Sequence, residues 1–129
     1  ELQRKSIRLE TRFSEIPVIT ADPNKLKQVV INLVMNAVHA LCGEGRVVLE
    51  TVINQQGNLE LLIKDDGPGI SAELQEQVFA PFFTTKPEGE GTGLGLYICQ
   101  NIIREHGGTI SLESQPGAGT LFRICLPVE

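Results

Sequence analysis

An aspartate stands at the end of a strand-like segment, directly before a turn that is rich in glycine. Residues 59–65 read LELLIKD, and Gly67 and Gly69 follow within four positions. Because side chains alternate along a strand, Asp65 shares the apolar face of this segment and is expected to point inward. A buried carboxylate requires hydrogen-bond donors, and glycines leave the backbone open to a flat ligand. The pattern fits a ligand-binding carboxylate, with an ordinary Asp–Gly turn as the alternative.

Two asparagines at a spacing of four residues supply oxygen atoms that could bind a hard cation. The Asp-Pro pair at 22–23 is typical of a helix start, and Gly43 is a suitable end. Apolar residues cover more than one side of this helix, which predicts that it is mostly buried. Asn32 and Asn36 lie one turn apart on the same side, where neutral amide oxygens would leave the charge of a cation for phosphates. Core amides that satisfy backbone groups are the alternative.

A second glycine-rich stretch leads into a helix and could bind an anion. Residues 91–96 read GTGLGL, and the apolar spacing that follows predicts a helix to about His106. Bare N–H groups and the positive end of the helix dipole at such a start favour phosphate. A flexible joint or close helix packing would explain the same glycines.

The segment before this helix has the composition of a loop that could move. Residues 84–93 contain almost nothing apolar, and three of the five phenylalanines lie just before them, within residues 79–83. Phe79 and Phe82 could anchor the base of the loop, or they could simply be core residues. Lys86 lies on the loop and could reach a phosphate, with a solvated lysine as the alternative.

Length and composition indicate one globular domain with more acidic than basic side chains. The 129 residues are 41% hydrophobic and 21% charged, with 11 basic and 16 acidic side chains and a formal net charge of −5. This balance disfavours nucleic acid as the main partner, and no apolar run is long enough to span a membrane. Three cysteines without metal-like spacing indicate free thiols in a reducing compartment. The abrupt, charged start suggests a piece of a longer protein.

Period-two patterns and turn residues predict strands that alternate with the helices described above. The segments with a strand pattern are 7–13, 47–53, 59–65, 109–114 and 121–126, with a short apolar piece at 16–20 as a further candidate. Glycine-containing turns join the second to the third of these segments and the fourth to the fifth, so two hairpins are expected. Ser71 has the position of a cap for a short helix.

Taken in order, these motifs resemble the ATP-binding domain of sensor histidine kinases, within the wider family of Bergerat-fold ATPases. The motifs that carry the resemblance are NLVMNAVHA (32–40), DDGPGI (65–70), FAPFFTTK (79–86), GTGLGL (91–96) and GAGT (117–120). It implies an α+β fold, a two-layer α/β sandwich in which three helices cover one face of a mixed, mostly antiparallel sheet of about five strands. Residues 1–129 would then be a single ATP-binding catalytic domain that lacks the dimerisation domain.

The resemblance also implies a role for each part of the site. Asp65 would accept a hydrogen bond from the adenine exocyclic amine, often with a water shared by Thr120. Asn36 would ligate Mg²⁺, and Asn32 and Lys86 would act in catalysis. The nucleotide-binding residues implied are Asn32, Asn36, His39, Ala40, Asp65, Gly67, Gly69, Ile70, Phe82, Lys86, Gly91, Thr92, Gly93, Leu94, Gly95, Leu96 and Thr120.

One position favours transfer of a phosphoryl group over its hydrolysis. Hydrolases related to this fold carry Glu where this chain has Asn32, and an amide cannot act as a general base at neutral pH. Asn32 therefore favours transfer of the γ-phosphoryl group, with residues 84–93 as a lid over the phosphates. An ATP-hydrolysing conformational switch of the same fold and an interaction domain that binds no nucleotide are the alternatives.

The sequence contains no match to the phosphoacceptor of such a kinase. The family places a reactive histidine before an acidic residue, whereas Ala-Leu follows His39 and Gly-Gly follows His106. His39 stands where many of these kinases have Lys, so a contact with phosphate stays open at this position. The partners implied are a histidine-containing dimerisation domain of the parent kinase and the receiver domain of a response regulator. A cytoplasmic location is expected, with no nucleic acid and no direct membrane contact for this fragment.

Overall fold

The structure is a computed structural model and describes residues 7–15, 19–41, 43–83 and 94–128. These residues contain five strands and three helices. In chain order, the elements are β1 (Ile7–Phe13), α1 (Pro23–Ala40), β2 (Gly45–Ile53), β3 (Leu59–Asp65), α2 (Ala72–Gln75), α3 (Gly95–Glu105), β4 (Thr109–Ser114) and β5 (Thr120–Leu126). The helices lie on one face of a single sheet, which confirms the predicted two-layer α/β sandwich.

The sheet is mixed and mostly antiparallel, with the strand order β1-β2-β3-β5-β4. Strand β1 runs parallel to β2, and every other neighbouring pair is antiparallel. Both predicted hairpins, β2–β3 and β4–β5, are present. In the segment proposed as a further strand, Ile19 and Thr20 belong to no strand, and 16–18 lie outside the described residues. Strand β3 lies in the middle of the sheet, so its last residue is flanked on both sides.

The start of α1 follows the sequence signal and is tied to the end of α3. The Asp22 carboxylate accepts hydrogen bonds from the backbone N–H groups of Asn24 and Lys25, at 3.0 and 3.2 Å. The backbone N–H of Asp22 donates to Nε2 of His106 at 3.0 Å, and Lys25 forms an ion pair with Glu105. The first turn of α1 and the last turn of α3 therefore hold each other in place.

Helix α1 is buried along one stripe rather than over most of its surface. Val29, Leu33 and Ala37 are buried, whereas Ile31 and Met35 are exposed. The prediction of a mostly buried helix is therefore wrong in extent. The physical reason is the two-layer architecture, in which α1 packs against the sheet and α3. No element of the described residues covers its opposite side.

The core lies between the helix layer and the inner face of the sheet. Every second residue of β5, from Thr120 to Leu126, is buried, and α3 contributes Cys99 and Ile103. Cys99 and Cys125 are free thiols, as the sequence predicts, and Cys42 lies outside the described residues. The inner row of β3 ends at the aspartate that the sequence singled out.

Candidate functional site

Asp65 is the last residue of β3 and one of two buried polar side chains in the described core. It is 4% exposed, and its direct partner across the β3–β5 pair is Thr120, which is 5% exposed. Its Oδ1 accepts a hydrogen bond from the backbone N–H of Gly67 at 2.9 Å. The predicted inward orientation of Asp65 is confirmed.

No basic side chain of the described residues neutralises Asp65. Burial raises the pKa of the Asp65 carboxyl above its usual range, and the charge of neighbouring Asp66 raises it further, against the lowering effect of the backbone N–H groups of Gly67 and Thr120. The hydrogen bond from Gly67 occupies only part of the capacity of a carboxylate, which has about four lone-pair positions. Asp65 can therefore accept further hydrogen bonds from a ligand.

The glycine turn after Asp65 packs against two neighbouring elements. A Cβ atom at Gly67 would lie 2.9 Å from Oδ1 of Asp65 and 3.3 Å from the carbonyl oxygen of Ala40 at the end of α1. Gly69 has φ +78°, and a Cβ atom there would collide with the carbonyl oxygen of Gln115. Gly69 therefore has a structural reason to be glycine, besides the open backbone for a ligand that the sequence suggested.

The turn is bonded to the β4–β5 hairpin through two residues that the sequence reasoning missed. Ser114 Oγ accepts from the backbone N–H of Ile70 at 2.7 Å. The Gln75 amide donates to the carbonyl oxygens of Ile70 and Ser114, at 2.7 and 2.9 Å. The backbone N–H of Gly117 donates to the carbonyl oxygen of Pro68. No spacing rule in the sequence could have found these bonds, because they join residues up to 49 positions apart.

Asn32 and Asn36 are half-buried on α1, and few contacts hold their side chains. Nδ2 of Asn32 lies 3.7 Å from Sγ of Cys99 on α3, and this is a weak hydrogen bond. The Asn36 amide has no hydrogen-bond partner among the described residues. Ala40, one turn further along α1, lies against Gly67. The predicted amide pair therefore lies on a line that ends at the Asp65 turn.

Helix α3 begins beside this amide line. Its first residue is Gly95, where a Cβ atom would lie 3.9 Å from Cγ of Asn32. Within the described residues, no side chain caps this helix start, so its first N–H groups are suited to an anion. Leu94 and Leu96 flank the start and are half-buried. The other predicted residues of this stretch and its loop, Lys86, Gly91, Thr92 and Gly93, lie outside the described residues.

The two phenylalanines that the sequence proposed as loop anchors differ in position. The Phe79 ring packs edge-to-face against Phe122, with 6.3 Å between the ring centroids, and joins the core. Phe82 is 74% exposed and has φ +66°. The predicted anchor role of Phe82 is therefore wrong as far as the described residues go, because they leave its ring exposed. Its contact with a nucleotide stays a prediction, as does that of His39, which is exposed.

The available oxygen atoms suit a metal that is shared with a ligand. Among the described residues, no group of three or more His, Cys, Asp or Glu side chains could hold a metal ion alone. Mg²⁺ requires six oxygen ligands and is usually held by one or two protein groups together with phosphates and waters. Asn36 Oδ1 fits such a partial site.

None of the described helices has both the length and the hydropathy that a membrane-spanning helix requires.

Comparison with known sequences shows what family this arrangement belongs to. The family model described as histidine kinase-, DNA gyrase B-, and HSP90-like ATPase matches residues 21–129. The chain is 47% identical over 110 residues to the sensor histidine kinase ZraS of Klebsiella oxytoca, which covers 85% of this chain and 23% of that protein. The chain thus spans about a quarter of the length of the curated relatives that it matches.

Solved structures of histidine kinases have the same fold as this chain. The mycobacterial sensor histidine kinase MprB is 32% identical, with a TM-score of 0.82, over 95% of this chain and 83% of that chain. Full-length ShkA in complex with AMPPNP is 28% identical, with a TM-score of 0.84, over 95% of this chain and 26% of that chain. The chain therefore belongs to the family of histidine kinase-, DNA gyrase B- and HSP90-like ATPases, as an ATP-binding catalytic domain of the histidine kinase type.

Proposed function

We propose that this domain binds Mg-ATP and donates the γ-phosphoryl group to a histidine on a separate dimerisation domain of the same kinase. The observation that carries the proposal is Asp65, a buried acid that accepts a hydrogen bond from the backbone N–H of Gly67 and has no ion-pair partner among the described residues. A chain that leaves such a carboxylate without a cation loses stability unless a ligand supplies donors. The exocyclic amine of adenine is a donor of the required kind.

Two clusters of residues would bind the two ends of the nucleotide. The base end consists of Asp65, Gly67, Gly69, Ile70 and Thr120, and the phosphate end consists of Asn32, Asn36, Leu94 and Gly95. Along α1, the line from Ala40 beside the base end to Asn32 beside the phosphate end spans about 12 Å at the helical rise per residue. An extended nucleotide lying along this line would place its base at Asp65 and its phosphates at the start of α3.

The residues at the phosphate end favour transfer of the γ-phosphoryl group over hydrolysis of ATP. Magnesium, when bound with the nucleotide, would neutralise charge on the phosphates, and Asn36 would help to hold it. The Asn32 amide cannot deprotonate a water molecule, whereas alignment and charge neutralisation are what phosphoryl transfer mainly needs. Lys86, Gly91, Thr92 and Gly93 would complete the contacts to the phosphates, and His39 is a further candidate contact.

The parent protein would supply the remaining parts of the signalling reaction. This chain, residues 1–129, would be the single catalytic domain, and a dimerisation domain elsewhere in the parent kinase would carry the acceptor histidine. The receiver domain of a response regulator would then take the phosphoryl group from that histidine. A cytoplasmic location would give the domain access to ATP and to the regulator.

Labelling with γ-phosphate-labelled ATP and Mg²⁺ tests the proposal. The acceptor domain of the parent kinase is incubated with this domain, and each protein is also incubated alone. Label should appear on a histidine of the acceptor domain only when both proteins are present. Label on this domain alone, or steady release of inorganic phosphate without an acceptor, would contradict the proposal and favour a self-modifying enzyme or a hydrolase.

A further inference from the structure

The Ser114 hydroxyl connects three groups at the base end. It accepts from the backbone N–H of Ile70 at 2.7 Å, lies 2.9 Å from the carbonyl oxygen of Gly119, and lies 2.9 Å from Oγ1 of Thr120. Ser114 is the last residue of β4, and Thr120, its partner in the β4–β5 register, is the first residue of β5. All three contacts are short enough to be full hydrogen bonds.

The chemistry of the partners fixes the direction of each of these bonds. A hydroxyl group has one proton and two acceptor lone pairs. The carbonyl oxygen of Gly119 can only accept, so the Ser114 proton goes to it. The N–H of Ile70 can only donate, so it takes one lone pair of Ser114. The remaining lone pair of Ser114 accepts the Thr120 proton, and Thr120 is therefore the donor in their shared bond.

The consequence is that the Thr120 hydroxyl presents acceptors on its other side. Its proton is held by Ser114, and its own lone pairs have no partner among the described residues. Thr120 lies directly across from Asp65 on the inner face of the sheet, and both side chains are buried. Two acceptors, a carboxylate and an oriented hydroxyl, thus lie side by side at the base end.

We propose that Ser114 is a positioning residue that sets base specificity, because it holds the Thr120 hydroxyl as an acceptor beside Asp65. This inference rests on the proposed function. Adenine carries an amine, a donor, at the position where guanine carries a carbonyl oxygen, an acceptor. A pair of acceptors, reached directly or through a water, therefore favours ATP over GTP. Without Ser114, the Thr120 hydroxyl can rotate and donate to a guanine carbonyl.

The structure also provides a second support that does not involve this hydroxyl. The Gln75 amide bridges the carbonyl oxygens of Ile70 and Ser114, and the N–H of Gly117 donates to the carbonyl oxygen of Pro68. Both contacts use only backbone atoms of the turn and the hairpin. Removal of the Ser114 hydroxyl should therefore leave the turn attached to the hairpin.

Calorimetric titration with Mg²⁺ and non-hydrolysable analogues of ATP and GTP tests the inference. The proteins are the unaltered domain, Ser114→Ala, Thr120→Val and the double variant, with Ser111→Ala as a matched control. Ser111 lies on the same strand, is exposed and has no side-chain hydrogen bond to another described residue. The ratio of ATP to GTP affinity should fall about threefold to tenfold in Ser114→Ala, the size of one lost hydrogen bond. It should be unchanged in Ser111→Ala.

The double variant separates this role from a merely structural one. If Ser114 acts through the Thr120 hydroxyl, adding Ser114→Ala to Thr120→Val should not lower the ratio further. Ser114→Thr, which keeps a hydroxyl group, should retain the original ratio. Ser114→Cys, a second removal variant with a weak acceptor, should lower it as Ser114→Ala does.

Two results would overturn the inference alone, namely an unchanged ratio in both Ser114→Ala and Ser114→Cys, or a fall of equal size in the Thr120→Val background. In both cases the unaltered domain would still prefer ATP. An unaltered domain that binds neither analogue would overturn the proposed function and this inference together.

Discussion

The two ends of the candidate site are built in different ways. At the base end, hydrogen bonds of 2.7 to 2.9 Å join the turn after Asp65 to α2 and to the β4–β5 hairpin. At the phosphate end, Asn32 has one weak contact with Cys99, and Asn36 has no side-chain partner among the described residues. The base end is therefore preorganised by the fold, whereas the phosphate end has polar groups available for a ligand.

This difference predicts separable effects of substitution. Changes at the base end should alter the stability of the domain as well as its binding, because the same atoms serve both purposes. Changes at the phosphate end should alter binding and metal dependence with little effect on stability. The predictions below test this contrast, beginning with the largest expected effect.

Gly69→Ala should cause the largest loss of stability. The substitution adds a Cβ at φ +78° and places it against the carbonyl oxygen of Gln115. Gly57 is a matched control, because it has φ +81° and nothing within 4 Å of the added atom. Gly57→Ala should lower the free energy of unfolding by about 1 kcal/mol, and Gly69→Ala by a further 1 to 3 kcal/mol or so. Equal losses in urea unfolding would show that the turn is not tightly packed.

Asp65→Asn should weaken ATP binding about tenfold to hundredfold, because a hydrogen bond to a charged acceptor is replaced by a weaker one. The preference for ATP over GTP should fall as well. Calorimetric titration with both analogues measures the two effects. An unchanged preference would remove Asp65 from the base end.

Asp65→Asn should leave the ligand-free domain as stable as the unaltered domain, or more stable, at neutral pH. Burial raises the pKa of the folded Asp65 carboxyl, so the folded state holds its proton more tightly than the unfolded state. This contribution to stability is present at low pH and is lost as the pH rises through the folded pKa. The difference in unfolding free energy between Asp65→Asn and the unaltered domain should therefore grow from acidic to neutral pH. If this difference in unfolding free energy became smaller from acidic to neutral pH, burial would not be the cause of a raised Asp65 pKa.

Asn36→Asp should change the metal dependence of binding with little change in stability. A carboxylate binds a hard cation more strongly than an amide, but it also neutralises charge that the phosphates require. Less Mg²⁺ should be needed for half-maximal effect, and the affinity for the nucleotide should fall several-fold. Stability should stay within about 0.5 kcal/mol, as is usual for a side chain without protein partners. An unaltered Mg²⁺ titration would remove Asn36 from the site.

Cys99→Val should have the smallest effect. The thiol is fully buried and its contact with Asn32 is long, at 3.7 Å, so a side chain of similar volume should replace it at a cost of less than about 1.5 kcal/mol. ATP affinity should change by no more than about twofold. A large loss of affinity with an intact fold would show that the phosphate end is more preorganised than its contacts indicate.

Much of the fold could be predicted because local residue patterns determine where its strands and helices begin and end. The period-two pattern of residues 59–65 gave the bounds of β3 and the inward direction of Asp65, and the Asp-Pro signal gave the start of α1. The extent of burial of α1 could not be predicted in this way. Ile31 and Met35 belong to an apolar pattern, and only the number of layers decides which side of a helix is covered.

Within the candidate site, residue type and spacing indicated Asp65 and Asn32 as candidate ligand contacts, and these contacts stay a prediction. The side chains that hold the turn after Asp65 in place were not found. Ser114 and Gln75 were missed, because the Ile70–Ser114 and Gln75–Ser114 hydrogen bonds join residues 44 and 39 positions apart and depend on how the β4–β5 hairpin meets the turn after Asp65. The anchor role of Phe82 failed for a related reason, since an aromatic residue beside a proline indicates packing but not a packing partner.

The most direct test of the central claim is a crystal structure of the domain with Mg²⁺ and a non-hydrolysable ATP analogue. The account predicts that the exocyclic amine of adenine lies within hydrogen-bond distance of the Asp65 carboxylate, directly or through a water shared with Thr120. A base bound elsewhere, or an Asp65 carboxylate paired with a lysine or arginine in the complex, would contradict it.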